Sequence, residues 1–465
     1  MMWIAVAALL SRCVLAVLYP VVDPTEGRHA QMAAELAQGQ SSWIIPLIRV
    51  QGDAVPFMGK PPIPVWAMAA SVRFFGQHEW AIRLPQGLCS LFVCLLVWRT
   101  VQRFEPAGSW PAVCILFASP FFFALMLTAT YDPWLMLGVS GATLCYANWA
   151  VAGATRFRWS LGIFAGLAVG FLSKGLVAVA LFGIPVFVWT WRFRGWTDLR
   201  LHAWGRGFVI FFVPVIGWLA FAEAHHPGFL KYFLWNEQIL RYLVEDYGDR
   251  YGSGHVYPYG TAALLFLAGI GPVGWWMMMA AHRVPKVEAS HPVRSLLVYT
   301  MIAHVVFFCF ARQLLWTYLL PAMPLFATWC GLRVPRQKPI RAWIIPFSIF
   351  VWSLTLALWL PVAGQQRSTR HVFEKLPSSV SSLTFLPKTP SSAFWYLPQG
   401  VRLNDHPSSY PGSLDAIPEA MVADLYVLDT RECAKGHFQF LLGNTKYLKV
   451  ERGWHLVQPP ETLKP

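Results

Sequence analysis

Ionisable side chains are scarce in this chain, and several stand where an apolar run begins or ends. Asp23 and Glu26 occur in VVDPTEGRHA, just past the first run, and Asp132 opens another in TATYDPW. The basic counterparts are Lys60 in FMGKPPIPVW, Lys174 in FLSKGL and Arg241 in NEQILRYL. Arg312 and Tyr318 share the stretch FARQLLWTYLLP. A carboxylate can take the proton of an attacking hydroxyl. Lysine binds phosphate as a point charge and arginine as a fork. Together these residues suit group transfer on a phosphate-bearing substrate, with negative charge developing where fixed cations stabilise it. Each also has a plainer reading. Asp23 could cap a helix end, Asp132 could be an N-cap ahead of Pro133, and Lys174 could snorkel to an interface. None of these explains why acids and bases gather at one membrane face.

The elements that must position them are membrane helices. The 465 residues are 56% hydrophobic and only 13% charged, against about 25% charged for a soluble domain. Apolar runs of membrane-crossing length recur up to about residue 363, which predicts an all-α polytopic protein. About eleven spans fall near 3–20, 84–102, 110–127, 131–151, 159–173, 176–192, 207–223, 258–280, 295–310, 314–332 and 342–362. The first lacks a basic start and a small-residue cleavage site, so it reads as a span rather than a leader. The loops 99–110, 151–158, 192–207, 281–294 and 332–341 concentrate arginine and lysine, which places them in the cytoplasm. The net charge of +14 is thus mostly a topology signal and does not point to nucleic acid. Eleven of the fourteen acidic residues before residue 363 fall on the opposite, outer face, as do the candidate site residues.

Within that outer face, segment 21–83 is expected to hold two interfacial helices: EGRHAQMAAELAQGQ, ending at Gly39, and KPPIPVWAMAASVRFFG, entered through prolines and left at Gly76. SSWIIPLIRVQG between them is expected to lie in the interface. Glu79 and Arg83, spaced i, i+4, are expected to pair. Gly162, Gly166 and Gly170 predict a close-packing helix face. Residues 364–465 read as a small α/β domain, with a buried strand in MVADLYVLDTRE and a strand pair in TKYLKVERGWHLV. The cysteines lack paired spacing, so neither disulfides nor a zinc site is expected.

The motifs recur in an order that resembles the bacterial lipid-linked sugar transferases of the GT-C superfamily, particularly the lipid A aminoarabinose transferases and the protein O-mannosyltransferases. They read DPTEGR, GKPP, FGQHEWAIRLP, TYD, SKG, NEQILR and QLLWTYLLP, and cover residues 1 to about 330. The resemblance implies a GT-C fold with a small outer C-terminal domain. It implies transfer of a sugar from a polyprenyl phosphate to an envelope acceptor such as lipid A or another glycolipid, with inversion. Asp23 and Asp132 then match the catalytic acidic positions. Lys60, Lys174 and Arg241 match the groups that hold the donor phosphate, and Glu26, Arg312 and Tyr318 support them. Lys60 is expected to face Asp23 across an outer cavity. No cofactor is required and no metal is indicated. The expected location is the bacterial inner membrane, with the site and tail in the periplasm and lipids as neighbours. A protein acceptor is the alternative, as is a transporter of lipid-linked sugars, which would need internal repeats and charges along a path through the membrane. Met58 and Gly59 depart from the family, which carries an aromatic and an acidic residue before the K-P-P.

Overall fold

The structure is a computed structural model that describes residues 1–50, 53–151, 156–193, 204–244, 251, 255–281, 292–333, 343–386, 389–404, 425–429, 447–451 and 454–457. Much of the basic-loop signal lies outside these residues, including Arg194, Arg200, Arg283, Lys286, Arg336, Lys338 and Arg341. Cys433 does too.

Helix α1 (Met2–Leu18) leads into the outer segment, where α2 (Thr25–Ala37) is followed by strands β1 (Leu47–Val50) and β2 (Asp53–Pro56) and by α3 (Ile63–Phe75). Then come α4 (Glu79–Phe104), α5 (Ser109–Ala118), α6 (Pro120–Leu125), α7 (Asp132–Val151), α8 (Arg156–Lys174), α9 (Leu176–Phe193) and α10 (Trp204–His225). A π-helix at Lys231–Leu240 runs into the short α11 (Arg241–Leu243). It is followed by α12 (Thr261–Ala281), α13 (Pro292–Cys309), α14 (Ala322–Gly331) and α15 (Ile344–Arg367). Among the described residues, six helices are long and apolar enough to cross a membrane: α4, α9, α10, α12, α13 and α15.

The proline-entered helix forms as expected. Pro64 sits in the first turn of α3, where amide hydrogens have no intrahelical partner, and the helix stops at Gly76 with φ +84°. Helix α2 ends just before Gly39, which also takes a left-handed φ of +76°. The stretch expected to lie in the interface contains a strand. Its Leu47–Val50 pairs antiparallel with Asp53–Pro56, from Leu47 opposite Pro56 to Val50 opposite Asp53. The hairpin satisfies backbone groups locally, and Ile48 is buried beneath it against α2 and α3.

Two buried arginines tie the bundle to this outer segment. Arg12, in the middle of α1, donates to the carbonyls of Phe123, Ala124 and Leu127, which are left open where α6 ends. Arg83 corrects an expectation. It pairs not with Glu79 but with Glu26, through two bonds of 2.8 and 2.7 Å. It also donates to the carbonyls of Ala16, Tyr19 and Pro20 at the end of α1. Arg83 is fully buried, and only a buried carboxylate with several open carbonyls can satisfy it there. Glu79, one turn earlier, turns to Arg370 at 3.3 Å and to the Tyr396 hydroxyl at 3.0 Å.

The glycine face of α8 is a true close approach. A Cβ on Gly138 of α7 would lie 2.4 Å from the Cα of Gly170, and one on Gly166 would lie 2.9 Å from the Gly138 carbonyl oxygen. Beyond α15, α16 (Arg370–Glu374), β3 (Ser382–Leu386), α17 (Ser391–Tyr396), β4 (Arg402–Leu403), β5 (Leu425–Asp429), β6 (Tyr447–Glu451) and β7 (Trp454–Val457) complete the chain. The strands form a mixed sheet of order β4-β3-β5-β7-β6. β5 lies in the stretch read as a buried strand, and β6 and β7 form the antiparallel pair read from TKYLKVERGWHLV. Helix α17 leaves the sheet and packs on α2, with Trp395 buried in the same cluster as Ala30, Met32 and Tyr131.

Candidate active site

Helix α2 frames the site. Its Glu26 accepts from the backbone N–H of Ala129 at 3.1 Å, and its His29 donates through Nδ1 to the Ala129 carbonyl at 2.9 Å. The loop just before Asp132 is therefore clamped at both polar groups of one residue. The His29 ring also meets the Tyr131 ring at 4.8 Å between centroids. Burial, and then the neighbouring Lys60, push the His29 imidazole down to about 3, so it is neutral and keeps its donor role.

Lys60 stands on the other side of Tyr131, its Nζ 4.9 Å from the ring centroid. Burial, and then the Lys174 ammonium, bring the Lys60 amine down to about 7, against an opposing pull from Asp132. Lys174 closes the group. Its Nζ donates to Asp132 Oδ1 at 2.5 Å and lies 4.2 Å from the Tyr318 ring centroid. Gly175 follows with φ +73°, which ends α8 and leaves Lys174 at the helix terminus. Arg241, at the end of the π-helix, lies 3.2 Å from Glu237. Burial raises the Glu237 carboxyl, opposed by Arg241, and burial lowers Arg28, helped by Arg241.

Of these groups Arg28, His29, Lys60, Lys174, Glu237, Arg241 and Tyr318 line one cavity of about 480 Å³; Asp132 is not in the lining but holds Lys174. Arg28, Lys60, Lys174 and Arg241 form its polar end; Leu135, Val177, Ile239, Phe307, Phe308 and Leu314 are among the residues of an apolar wall. A cationic end joined to an apolar wall is the shape an amphipathic phosphate would occupy. Among the described residues no three of His, Cys, Asp and Glu come together as a metal-binding group.

The structure thus brings Asp132, Lys60, Lys174, Arg241 and Tyr318 together. It places three other candidates elsewhere. Glu26 is a buried clamp for Arg83 and Ala129 rather than a wall of the cavity. Arg312 sits with its guanidinium 4.2 Å from the Tyr259 ring centroid, and its neighbour Gln313 lines the cavity. Asp23 is held by the tail. One carboxylate oxygen accepts from the Ser392 backbone N–H at 3.0 Å and the other from the Ser392 hydroxyl. The main charges acting on Lys60 are those of Lys174, Asp132, Arg28 and Arg241, while Asp23 acts on Arg28 in the same cavity lining. Helix α17 occupies the space beside Asp23; the next residues, Pro24 and Thr25, line the cavity.

Sequence reasoning assigned no role to Arg28, His29, Glu237 or Tyr251. Arg28 was visible as the last residue of DPTEGR. Tyr251 gave no signal, yet it explains the local departure at Met58–Gly59. Its hydroxyl donates to the Pro56 carbonyl at 2.6 Å and accepts from the Met58 N–H at 2.9 Å. Its ring lies 3.3 Å from where a Gly59 Cβ would stand. A side chain at 59 would have to displace it.

The fold is shared with solved structures. The crystal structure of ArnT from Cupriavidus metallidurans bound to undecaprenyl phosphate superposes with a TM-score of 0.74 at 19% identity, over 100% of this chain and 98% of that one. The archaeal oligosaccharyltransferase AglB from Archaeoglobus fulgidus, in complex with an inhibitory peptide and a dolichol-phosphate, gives 0.51 at 11% identity, over 100% and 74%. Residues 59–219 match the family described as dolichyl-phosphate-mannose-protein mannosyltransferase, a segment that holds Lys60, Asp132 and Lys174. The undecaprenyl phosphate-alpha-4-amino-4-deoxy-L-arabinose arabinosyl transferase of Photorhabdus laumondii is 24% identical over 309 residues, 65% of this chain and 53% of that protein. The chain spans about half the length of the curated relatives it matches. In sequence and in fold it resembles the GT-C superfamily of polyprenyl-phosphate-sugar-dependent glycosyltransferases.

Proposed function

We propose that this chain is an integral-membrane glycosyltransferase that moves a sugar from a polyprenyl phosphate to an envelope acceptor, with lipid A or another glycolipid first among acceptors. The observation that carries the reading is the cavity in which Lys60, Lys174, Arg241 and Arg28 converge at one end of an apolar wall. The lipid phosphate is the leaving group. Bond breaking puts negative charge on it, and cations already in place stabilise that charge without reorganising. The Asp132 carboxylate holds the Lys174 ammonium in position for it. Tyr318 and Tyr131 give Lys174 and Lys60 aromatic faces that support a cation while little water is present.

Attack by the acceptor on the anomeric carbon, opposite the departing phosphate, inverts that centre. A hydroxyl acceptor needs a base. Asp132, bonded to Lys174 beside the cations, and Asp23, bonded to Ser392 beneath α17, are the carboxylates proposed for that role, while Glu237 is the carboxylate that lines the cavity itself. A phosphate acceptor is already ionised, and Asp23 then serves to position it. In the topology expected from the sequence, with eleven spans and the basic loops in the cytoplasm, this site, the carboxyl-terminal sheet domain and its α17 lie in the periplasm of a bacterial inner membrane.

A transporter of lipid-linked sugars would line a path through the membrane with charges. The arginine in the middle of α1, Arg12, is instead bound to backbone at the end of α6. Mass spectrometry of envelope glycolipids and glycoproteins from cells with and without the chain tests the acceptor. A sugar-sized mass lost from a glycolipid supports the reading, loss from glycoproteins alone moves the acceptor to protein, and no change in either contradicts both.

A further inference from the structure

A second cavity, of about 900 Å³, lies away from the first, between α4 and α8 over one face of α7. Its geometry is regular. Each helix contributes one face, and each stripe covers eleven residue steps: 92 to 103 on α4, 137 to 148 on α7 and 158 to 169 on α8. At 1.5 Å per residue each stripe is about 16 Å long. That is about half the 30 Å hydrocarbon thickness, the depth of one leaflet.

The stripes also agree in polarity. α4 and α7 run toward the basic-loop face and α8 runs back from it, so one end of the groove collects Arg99, Arg103 and Arg158, the other Phe92, Leu137 and Val169. All three arginines are exposed at the basic end. At the basic end of the α7 stripe sits Asn148, fully buried. Asn148 is one of the lining residues; its amide nitrogen donates to Thr100 Oγ1 at 2.8 Å and to the Leu144 carbonyl at 2.9 Å, while its carboxamide oxygen is buried without a hydrogen-bond partner among the described residues. A buried acceptor without a donor is costly, so such groups mark places where something else binds.

We propose that this groove binds one anionic phospholipid from the leaflet on the basic-loop side. The acyl chain lies along the apolar stripes, the phosphate rests among the three arginines, and a head-group or glycerol hydroxyl donates to Asn148. Basic pockets between membrane helices on this side hold anionic head groups for the same electrostatic reason. The site is separate from the outer cavity and does not depend on the transferase reading.

The test uses the full chain, purified in detergent, with dioleoyl phosphatidylglycerol and dioleoyl phosphatidylcholine added in parallel and bound lipid counted by native mass spectrometry. Wild type retains one phosphatidylglycerol in preference to phosphatidylcholine. The double variant Arg99→Gln/Arg158→Gln loses roughly thirtyfold in apparent affinity for it, while Arg99→Lys/Arg158→Lys keeps it. Val169→Trp, which fills the apolar end and leaves every charge in place, also expels the lipid. Thermal unfolding of each variant identifies any that fail to fold. Equal retention of the two lipids, or unchanged phosphatidylglycerol binding by the folded glutamine double variant, overturns the proposal.

Discussion

The Lys174 ammonium donates to the Asp132 carboxylate across 2.5 Å, and both side chains are about nine-tenths shielded from solvent. Forty-two residues separate them in the chain; α8 ends and α7 begins at the same depth, so the pair fastens two helices that already touch along their glycine face. Breaking such a pair by removing one partner leaves a charge stranded. Asp132→Ala is expected to cost about 3–5 kcal/mol of stability. The double variant Asp132→Leu/Lys174→Met is expected to cost less than the sum of the single changes. Thermal unfolding of the four proteins in one detergent reads the coupling, and strict additivity would show that the pair is not coupled.

Lys60 gives a pH dependence whose sign can be worked out. Its amine titrates near 7 in the folded protein and near 10.5 when free. Between those values the unfolded chain binds more protons, so stability rises with pH across that window. Below about 7 the folded state carries the full cost of a buried charge. Lys60→Met is therefore expected to stabilise the protein most below pH 7, with the gain fading toward pH 10.5. The same charge is what a donor phosphate needs. Donor affinity of the wild type is expected to fall as pH rises past 7, and Lys60→Arg is expected to flatten that fall. Titrations of polyprenyl phosphate at several pH values check both, and a flat wild-type profile contradicts the assignment.

Glu26 and Arg83 are a structural clamp. Glu26→Gln is expected to destabilise by about 3–5 kcal/mol, because Arg83 has no exposed surface through which to recover water. Glu79→Gln, which touches the exposed side of Arg370, is expected to cost less than about 1 kcal/mol. Similar losses in the two variants, measured by denaturation, would mean that the clamp has been misread.

Ser392 tests the tail. Ser392→Ala removes the hydroxyl that donates to Asp23. If Asp23 acts on the acceptor, transfer is expected to slow by roughly ten- to a hundredfold through misplacement of the carboxylate, while affinity for polyprenyl phosphate stays within about twofold. An unchanged transfer rate with lowered stability assigns the contact to fastening α17 alone.

Much of this arrangement is legible in the sequence, because membrane helices announce themselves by length and the site residues interrupt them. Lys60 is marked by its prolines, Lys174 by the following glycine, and Asp132 by Pro133. What is not legible depends on tertiary partners. Glu79 and Arg83 have the spacing of a pair, but the choice between partners is made by where α1 ends. Asp23 reads as a cavity residue until α17, some 370 positions away, takes its oxygens. Tyr251 reaches Met58 and Gly59 only through the folded chain. The β1–β2 hairpin is hidden because a short, mostly apolar run such as LIRV suits a strand and an interfacial segment equally.

The central claim is that the outer cavity holds a polyprenyl phosphate and releases it as its sugar is transferred. Purified protein supplied with a radiolabelled polyprenyl-phosphate sugar and an envelope glycolipid extract measures this directly. The expected result is label moved to the glycolipid by wild type, with Lys60→Ala and Asp132→Asn each reducing the rate at least a hundredfold and Asp23→Asn lowering turnover more than donor binding. Transfer at the wild-type rate by both Lys60→Ala and Asp132→Asn would contradict the account.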